Sequence, residues 1–315
     1  MNRLEEALAR VVDNPEDDAA RLAYADAVEP QDPRRADWIR WHIAYEQMRI
    51  GDGLPSWAQQ HRKYRSTPGF LDDAKLMMEW AKPIVPYCRD AASWEYHRGF
   101  IIHITTSPYT LLEHGEKIFS LAPIRFIELT VTGNPATYDN TVSREIGRFP
   151  MKELMASPLL KRLDGIIFWG AYLSLDDIRL IAESPNLDRL VFLKFYNLWD
   201  KVPKEAWDIF AASPTTQKLL AIEGDVYRFP GEWECWDDND PYLEGGVPQP
   251  VRPHGRELEA KYGYLPWLHP YHNRADRYDM ARLVARGKLP RYPVGTPVTE
   301  EMYEVPKPVR NDHYW

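Results

Sequence analysis

The sequence predicts an α/β fold, a short solenoid in which strands and helices alternate as stacked repeats of 27–29 residues. The first observation is a recurring phrase. It opens at Ser157-Pro158, returns at Ser184-Pro185 after 27 residues, and returns more loosely at Ser213-Pro214 after a further 29. A period in this range marks a chain built of stacked supersecondary units. The second observation is the apolar register inside the copies. Leu160, Leu163, Ile166, Phe168, Ala171 and Leu173 share their spacing with Leu187, Leu190, Leu193, Phe195 and Leu198. Leu219, Ile222 and Gly224 keep part of that spacing, and Leu121, Ile124, Ile127 and Leu129 match the strand portion upstream. Alternate apolar residues in the short L-x-L core predict a strand with one face buried.

The elements follow in chain order. Leu4, Ala7, Leu8, Val11 and Val12 form a helical stripe over residues 3–12. Asn14 and Pro15 are a suitable cap and first-turn residue for a second helix carrying Ala19, Leu22, Ala23 and Ala27 and ending before Pro30. Glu16, Asp17 and Asp18 fall in its first turn, where the helix dipole favours anions. Asp32-Pro33 opens a third helix with Trp38, Ile39, Ile43 and Met48 on one face. Residues 51–95 read as a helical linker and cap, with helices over Ser56–Tyr64 and Phe70–Ala81 interrupted by Pro83 and Pro86. The repeat arc spans 96–229, and Ile102 with Ile104 is its degenerate first copy. Gly133-Asn134-Pro135 predicts a turn, and Val142–Met155 a helix broken near Pro150.

After Gly224 the composition shifts. Twelve of the chain's 27 prolines lie between Pro230 and Pro308, a density that blocks long helices and strands. Aromatic residues are scattered through the same segment, whereas disordered tails are poor in them. Residues 230–315 are therefore expected to be ordered by packing, as a wrap over the last repeat or as a partner-binding arm. Its one predicted helix is Asn273–Arg286.

The repeats resemble leucine-rich repeats of the long, helix-containing kind. A second resemblance lies upstream. Residues 14–26 (Asn14-Pro15-Glu16-Asp17-Asp18 through Arg21-Leu22-Ala23-Tyr24-Ala25-Asp26), then Asp32-Pro33-Arg34 and Trp38-Ile39-Arg40, resemble the bacterial repeat-companion domain. Ala27 stands where that pattern usually has Trp, and Arg35 where it has Gly. The phrase Arg98-Gly99-Phe100 matches the R-G-F that such chains tend to carry before their first repeat. The resemblance covers about residues 3–225. It implies an N-terminal helical domain over residues 1–50 ahead of a leucine-rich-repeat arc, and it implies no reaction. It also implies a setting in a bacterial multi-protein system, such as defence or peptide maturation.

The register assigns residues to the inner surface of the arc. If Ile166 and Phe168 point into the core, the outward set is Phe126, Glu128, Ile167, Trp169, Phe192, Lys194, Tyr196, Glu223 and Asp225, with His103 at the centre of the first copy. Aromatics beside mixed charges are the composition of a protein-binding surface. The expected partner is a protein or peptide, on this face or on the C-terminal arm. The competing expectation is that the chain's own tail covers these aromatics.

A net charge of −8 argues against nucleic acid as the main ligand, since phosphate binding needs clustered Lys and Arg. With 44% apolar and 27% charged residues and no bilayer-length apolar run, a soluble protein without membrane contact is expected. The charged start, Met1 to Glu6, lacks a signal-peptide core, and Cys88 and Cys235 form no framework, so a reduced, cytoplasmic location is expected. No phosphate-binding Gly loop, nucleophile elbow or Cys-His pair is present, so neither an enzymatic activity nor a cofactor is expected. Two alternatives stay open. His254, His269, His272 and Asp276 could serve a metal-dependent enzyme, although Pro270 lies inside the H-x-x-H and a third ligand is missing. The aromatic tail could instead be an oligomerisation arm. Asp237-Asp238-Asn239-Asp240 lacks the spacing of a calcium loop and reads as an acidic turn.

Overall fold

The structure, a computed structural model, describes residues 2–52, 70–89, 94–130, 149–170, 173–196, 204–224, 253–269 and 292–303. Three helices open the chain: α1 (Arg3–Asp13), α2 (Asp18–Val28) and α3 (Pro33–Asp52). Asn2 and Glu5 form a capping box on α1, each side chain meeting the other's backbone N–H at 2.9 Å. Asn14 does not cap α2 as the sequence predicts. It closes α1, its N–H donating to the Arg10 carbonyl at 2.9 Å, and Asp17 caps α2 by accepting from the Ala19 N–H. The reason lies in Pro15, whose carbonyl is held outside any helix by two guanidinium groups, Arg21 at 2.7 Å and Arg98 at 3.1 Å. Ala7, Val11, Tyr24, Ala25, Val28, Ile39 and Ile43 form the core of this helical unit.

Helix α4 (Phe70–Ala81) has the predicted bounds, and a 3₁₀ turn at Val85–Tyr87 follows the proline break. Next comes a hairpin that the repeat reading does not anticipate: β1 (Trp94–His97) runs antiparallel to β2 (Phe100–Thr106). Its two-residue turn, Arg98-Gly99, has positive φ at both positions (48° and 81°), the primed turn that matches strand twist. The pairing skips a residue between His103 and Ile101, a β-bulge that reverses which face each side chain takes. Ile101 and Ile104 therefore enter the main core, and Ile102 packs with Phe126 apart from it. This corrects the pairing of Ile102 with Ile104 as one repeat copy.

From β2 onward strands and helices alternate: α5 (Pro108–Leu121), β3 (Phe126–Thr130), α6 (Met151–Ala156), β4 (Gly165–Trp169), α7 (Leu175–Glu183), β5 (Phe192–Tyr196), α8 (Lys204–Ala212), the short α9 (Pro214–Gln217) and β6 (Ala221–Gly224). The six strands form one sheet in sequence order, and β2 to β6 are all parallel. Each parallel neighbour therefore follows its predecessor directly in the chain, across a crossover helix. The predicted core residues meet here: Leu160, Leu163, Ile166, Phe168, Leu187, Leu193, Phe195, Leu219 and Ile222 are fully buried. Phe168 stacks on Phe195 at 5.6 Å between centroids, and Phe149 and Phe210 extend the row at 5.8 and 5.9 Å.

The Ser-Pro phrase acquires a physical role. Ser184 Oγ donates to the Met155 carbonyl in the last turn of α6, at 2.7 Å, and Asn186 Nδ2 donates to the same oxygen at 3.0 Å. Ser213 Oγ donates likewise to the Ala182 carbonyl near the end of α7. Each serine thus satisfies a helix-end carbonyl of the preceding unit, and the proline after it supplies a fixed φ for the next turn.

At the far end, α10 (Pro253–Tyr262) lies against α8, and the 3₁₀ turn Pro266–Leu268 lies against β6. Trp267 stacks on Trp207 at 5.7 Å, both fully buried. The sequence reading places no helix over 253–262, and its predicted helix at Asn273–Arg286 lies outside the described residues, as do those over Ser56–Tyr64 and the stretch before Phe149. Cys88 is half-buried, and Cys235 is outside the described residues. Among the described residues no helix is long and apolar enough to cross a membrane.

Candidate functional site

Two regions hold the candidate side chains: the sheet face turned away from the crossover helices, and the junction between the N-terminal helices and the sheet. The register orders the first into rows. One row reads His103, Phe126, Gly165, Phe192, Ala221, and the next Thr105, Glu128, Ile167, Lys194, Glu223. Trp169 and Tyr196 pair with each other one step further along. His103 therefore belongs to the Phe126 row, and Thr105 takes the central place beside Glu128.

The first row is not the open surface the sequence predicts. His103 is 5% exposed, Phe126 2% and Phe192 1%, and Ile167 of the second row is closed as well, at 4%. Gly165 explains part of this. A Cβ at that position would lie 2.4 Å from Phe126 Cδ1 and 3.2 Å from Phe192 Cδ1, so the two rings close over the glycine from either side. Ile167, Val191, Phe192, Leu220 and Ala221 form an apolar cluster of their own. His103 Nδ1 lies 3.2 Å from Glu95 Oε1 on the antiparallel neighbour.

The second row keeps polar groups within reach of water. Glu128 and Lys194 are half-buried, as is Trp169 one step further along. Thr105 Oγ1 donates to Glu128 Oε1 at 3.3 Å. Arg89, absent from the sequence-predicted set, holds its guanidinium 4.8 Å from the Trp169 ring centre. Its backbone N–H donates to the Thr105 carbonyl at 2.8 Å, which extends the sheet edge. No sequence signal marks Arg89, because it follows a proline break and belongs to no repeat copy. The side chains of Tyr196 and Glu223, and all of Asp225, lie outside the described residues.

Of the C-terminal histidines, His269 is the one whose side chain is described. His269 is fully buried, with Nε2 2.8 Å from Glu259 Oε1, which also accepts the Leu265 N–H at 2.9 Å. The Tyr264 ring stacks on it at 4.9 Å. Glu259 thus ties the turn after α10 to its helix. The His254 side chain, His272 and Asp276 lie outside the described residues. Among the described residues no three His, Cys, Asp or Glu side chains gather where they could hold a metal.

The junction is buried and charged. Arg98, 1% exposed, donates to Asp18 Oδ1 at 2.6 Å and to Glu16 Oε2 at 2.8 Å. Arg21 donates to the carbonyls of His97 and Arg98 at 3.4 and 3.1 Å, and its guanidinium lies 5.0 Å from the Phe100 ring centre. Phe100 meets Tyr24 edge-on at 5.1 Å inside the helical core. The Arg98-Gly99-Phe100 turn is thus inserted into the Asn14–Asp18 turn and helix α2. Arg125 pairs with Asp164, and Arg189 approaches the same carboxylate at 3.6 Å. Burial pushes the Asp164 carboxyl above its ordinary range, against the pull of Arg125 and Arg189.

Comparison with protein-family models, curated proteins and solved structures finds no match to this chain.

Proposed function

We propose that the chain is a non-catalytic recognition or scaffold protein of a bacterial multi-protein system, built as a repeat-companion domain followed by a leucine-rich-repeat arc. In this reading the partner is an extended peptide or protein segment lying across the C-terminal half of strands β2–β5. The observation that carries it is the half-buried group of Arg89, Glu128, Trp169 and Lys194, where charges of both signs flank one aromatic on a rigid parallel sheet. An aromatic anchor ringed by charge supplies affinity from the ring and partner choice from the charges. The buried Phe126 and Phe192 serve as the floor of this face and leave partner contact to Arg89, Glu128, Lys194 and Trp169.

The test is affinity capture followed by titration of the purified partner, comparing wild type with a Trp169→Ala, Lys194→Glu variant. An interfacial aromatic anchor removed with a charge reversal beside it is expected to weaken binding by about 2–4 kcal/mol, some 30-fold or more. Equal affinity in a variant of unchanged thermal stability would remove this face from consideration.

A further inference from the structure

A cleft of about 120 Å³ lies between the end of α1 and the turns that lead into β3, β4 and β5. At roughly 30 Å³ per water it has room for about four waters, the scale of one small oxyanion. Asp13, Phe119, Ile124, Arg125, Arg162 and Arg189 are among the residues lining it.

Arg125 is the observation that points to a ligand. Its side chain is only 6% exposed. One terminal nitrogen is committed to Asp164. The other, Nη1, is 3.7 Å from Glu16 Oε1, too far for a hydrogen bond, and neither Nη1 nor Nε has a hydrogen-bond partner. Buried donors left in this state are costly, and a guanidinium presents its donors as a fork that suits a carboxylate or phosphate. The repeat supplies two more. Arg162 and Arg189 each stand five residues after the serine of their Ser-Pro phrase, so stacking of the units places both on one edge. Arg162 is positioned over the Phe119 ring at 5.5 Å. Arg189 is half-exposed and reaches Asp164 only at 3.6 Å.

Asp13 refines the choice of ligand. A carboxylate in a cleft of three guanidinium groups repels a fully deprotonated anion and accepts a hydrogen bond from one that keeps a proton. Inorganic phosphate keeps at least one proton near neutral pH, a phosphate monoester keeps one up to about its second pKa near 6, and sulfate keeps none.

We propose that this cleft binds a single phosphate group, held by Arg125, Arg162 and Arg189 and selected over sulfate by Asp13. The group arrives as inorganic phosphate or as the monoanion of a small phosphate monoester. Because the cleft is walled by α1 on one side and the repeat turns on the other, its occupant also joins the two units. A single-phosphate site is consistent with a chain of net charge −8, which disfavours a polyanion as a whole.

The experiment is calorimetric titration of the full chain with inorganic phosphate, glycerol phosphate and sulfate at one fixed ionic strength and about pH 6, where a monoester still carries a proton. The expected result is saturable one-to-one binding of a phosphate compound, at least about tenfold tighter than sulfate. Whichever of inorganic phosphate and glycerol phosphate binds tighter identifies the source. The Arg162→Gln, Arg189→Gln variant changes two exposed side chains and should keep its fold while losing at least about tenfold in affinity. Absence of saturable binding of either phosphate compound at about 10 mM overturns the proposal. So does sulfate binding as tightly as phosphate, or unchanged affinity in the folded double variant.

Discussion

Gly99 is the residue whose replacement tests most directly how the helical unit is joined to the sheet. It has φ +81°, and a Cβ there would lie 2.5 Å from Ile39 Cγ1 and 2.9 Å from Ile39 Cα. The second contact is helix backbone, which no rotamer change can relieve. For Gly99→Ala, left-handed backbone costs about 1–2 kcal/mol, and overpacking against a buried helix adds about 1–3 kcal/mol. Loss of unfolded-state entropy offsets about 0.4–1 kcal/mol. The expected net loss is about 2–4 kcal/mol, a large part of the 5–15 kcal/mol typical of a folded domain. Two controls separate the contributions. Gly295 also has positive φ, +78°, but a Cβ there meets nothing within 4 Å, so Gly295→Ala should cost only about 0.5–1 kcal/mol. Gly165 lacks a positive φ but is crowded by Phe126, so Gly165→Ala should fall between the two. The assay is urea unfolding followed by tryptophan fluorescence and circular dichroism, with the slope checked for constancy. If Gly99→Ala loses no more than Gly295→Ala, the close approach of turn to helix α3 is wrong.

Two further outcomes follow from the repeat contacts and the junction. Ser184→Ala and Asn186→Ala each remove one of two donors to the Met155 carbonyl. Each alone should cost about 1 kcal/mol, because the other donor still satisfies the oxygen, and the double variant should lose more than the sum, by about 0.5 kcal/mol or more. Strict additivity in a double-mutant cycle would count against a shared acceptor. Asp164 supplies a pH signature. Its folded carboxyl lies above its ordinary range, so in the interval between the two values the folded chain binds more protons than the unfolded one. Its contribution to stability therefore falls as pH rises out of the ordinary carboxylate range. Unfolding free energies of wild type and Asp164→Asn, measured across that range, should diverge with a slope of this sign; a slope of the opposite sign would refute the assignment to burial.

The alternation of strand and helix, the core identities and the register of β3 to β6 were legible because each copy repeats one physical constraint. A short parallel strand buried under a crossover helix needs apolar residues at fixed spacing, and the next unit needs the same spacing again. The hairpin at 94–106 escaped because a β-bulge interrupts the period-2 pattern between His103 and Ile101. Periodicity alone therefore assigned Ile102 to the wrong face. Helix α10 escaped because its apolar residues are few and its segment is dense in proline, so its place depends on Trp267 meeting Trp207 rather than on a local pattern.

The candidate sites divide the same way. Glu128, Trp169 and Lys194 could be named from register alone, since alternation dictates the face of each strand residue. How much of that face stays open could not, because exposure depends on what lies across it: Phe126 and Phe192 close over Gly165, and Arg89 arrives from outside the repeats. The junction was legible only as separate words. The sequence by itself determined the helical N-terminal stripe, the strand–helix alternation and the spacing of Arg162 and Arg189, because local periodicity and backbone propensity act within one segment. Only the tertiary structure decided that Arg98 reaches Glu16 and Asp18, that Arg125 is buried with two donors unsatisfied, and that α1 closes a cleft over the repeat turns. Those outcomes depend on charges and backbone groups some 40 to 175 residues apart in the chain, whose pairing is set by the geometry of packing and leaves no periodic trace.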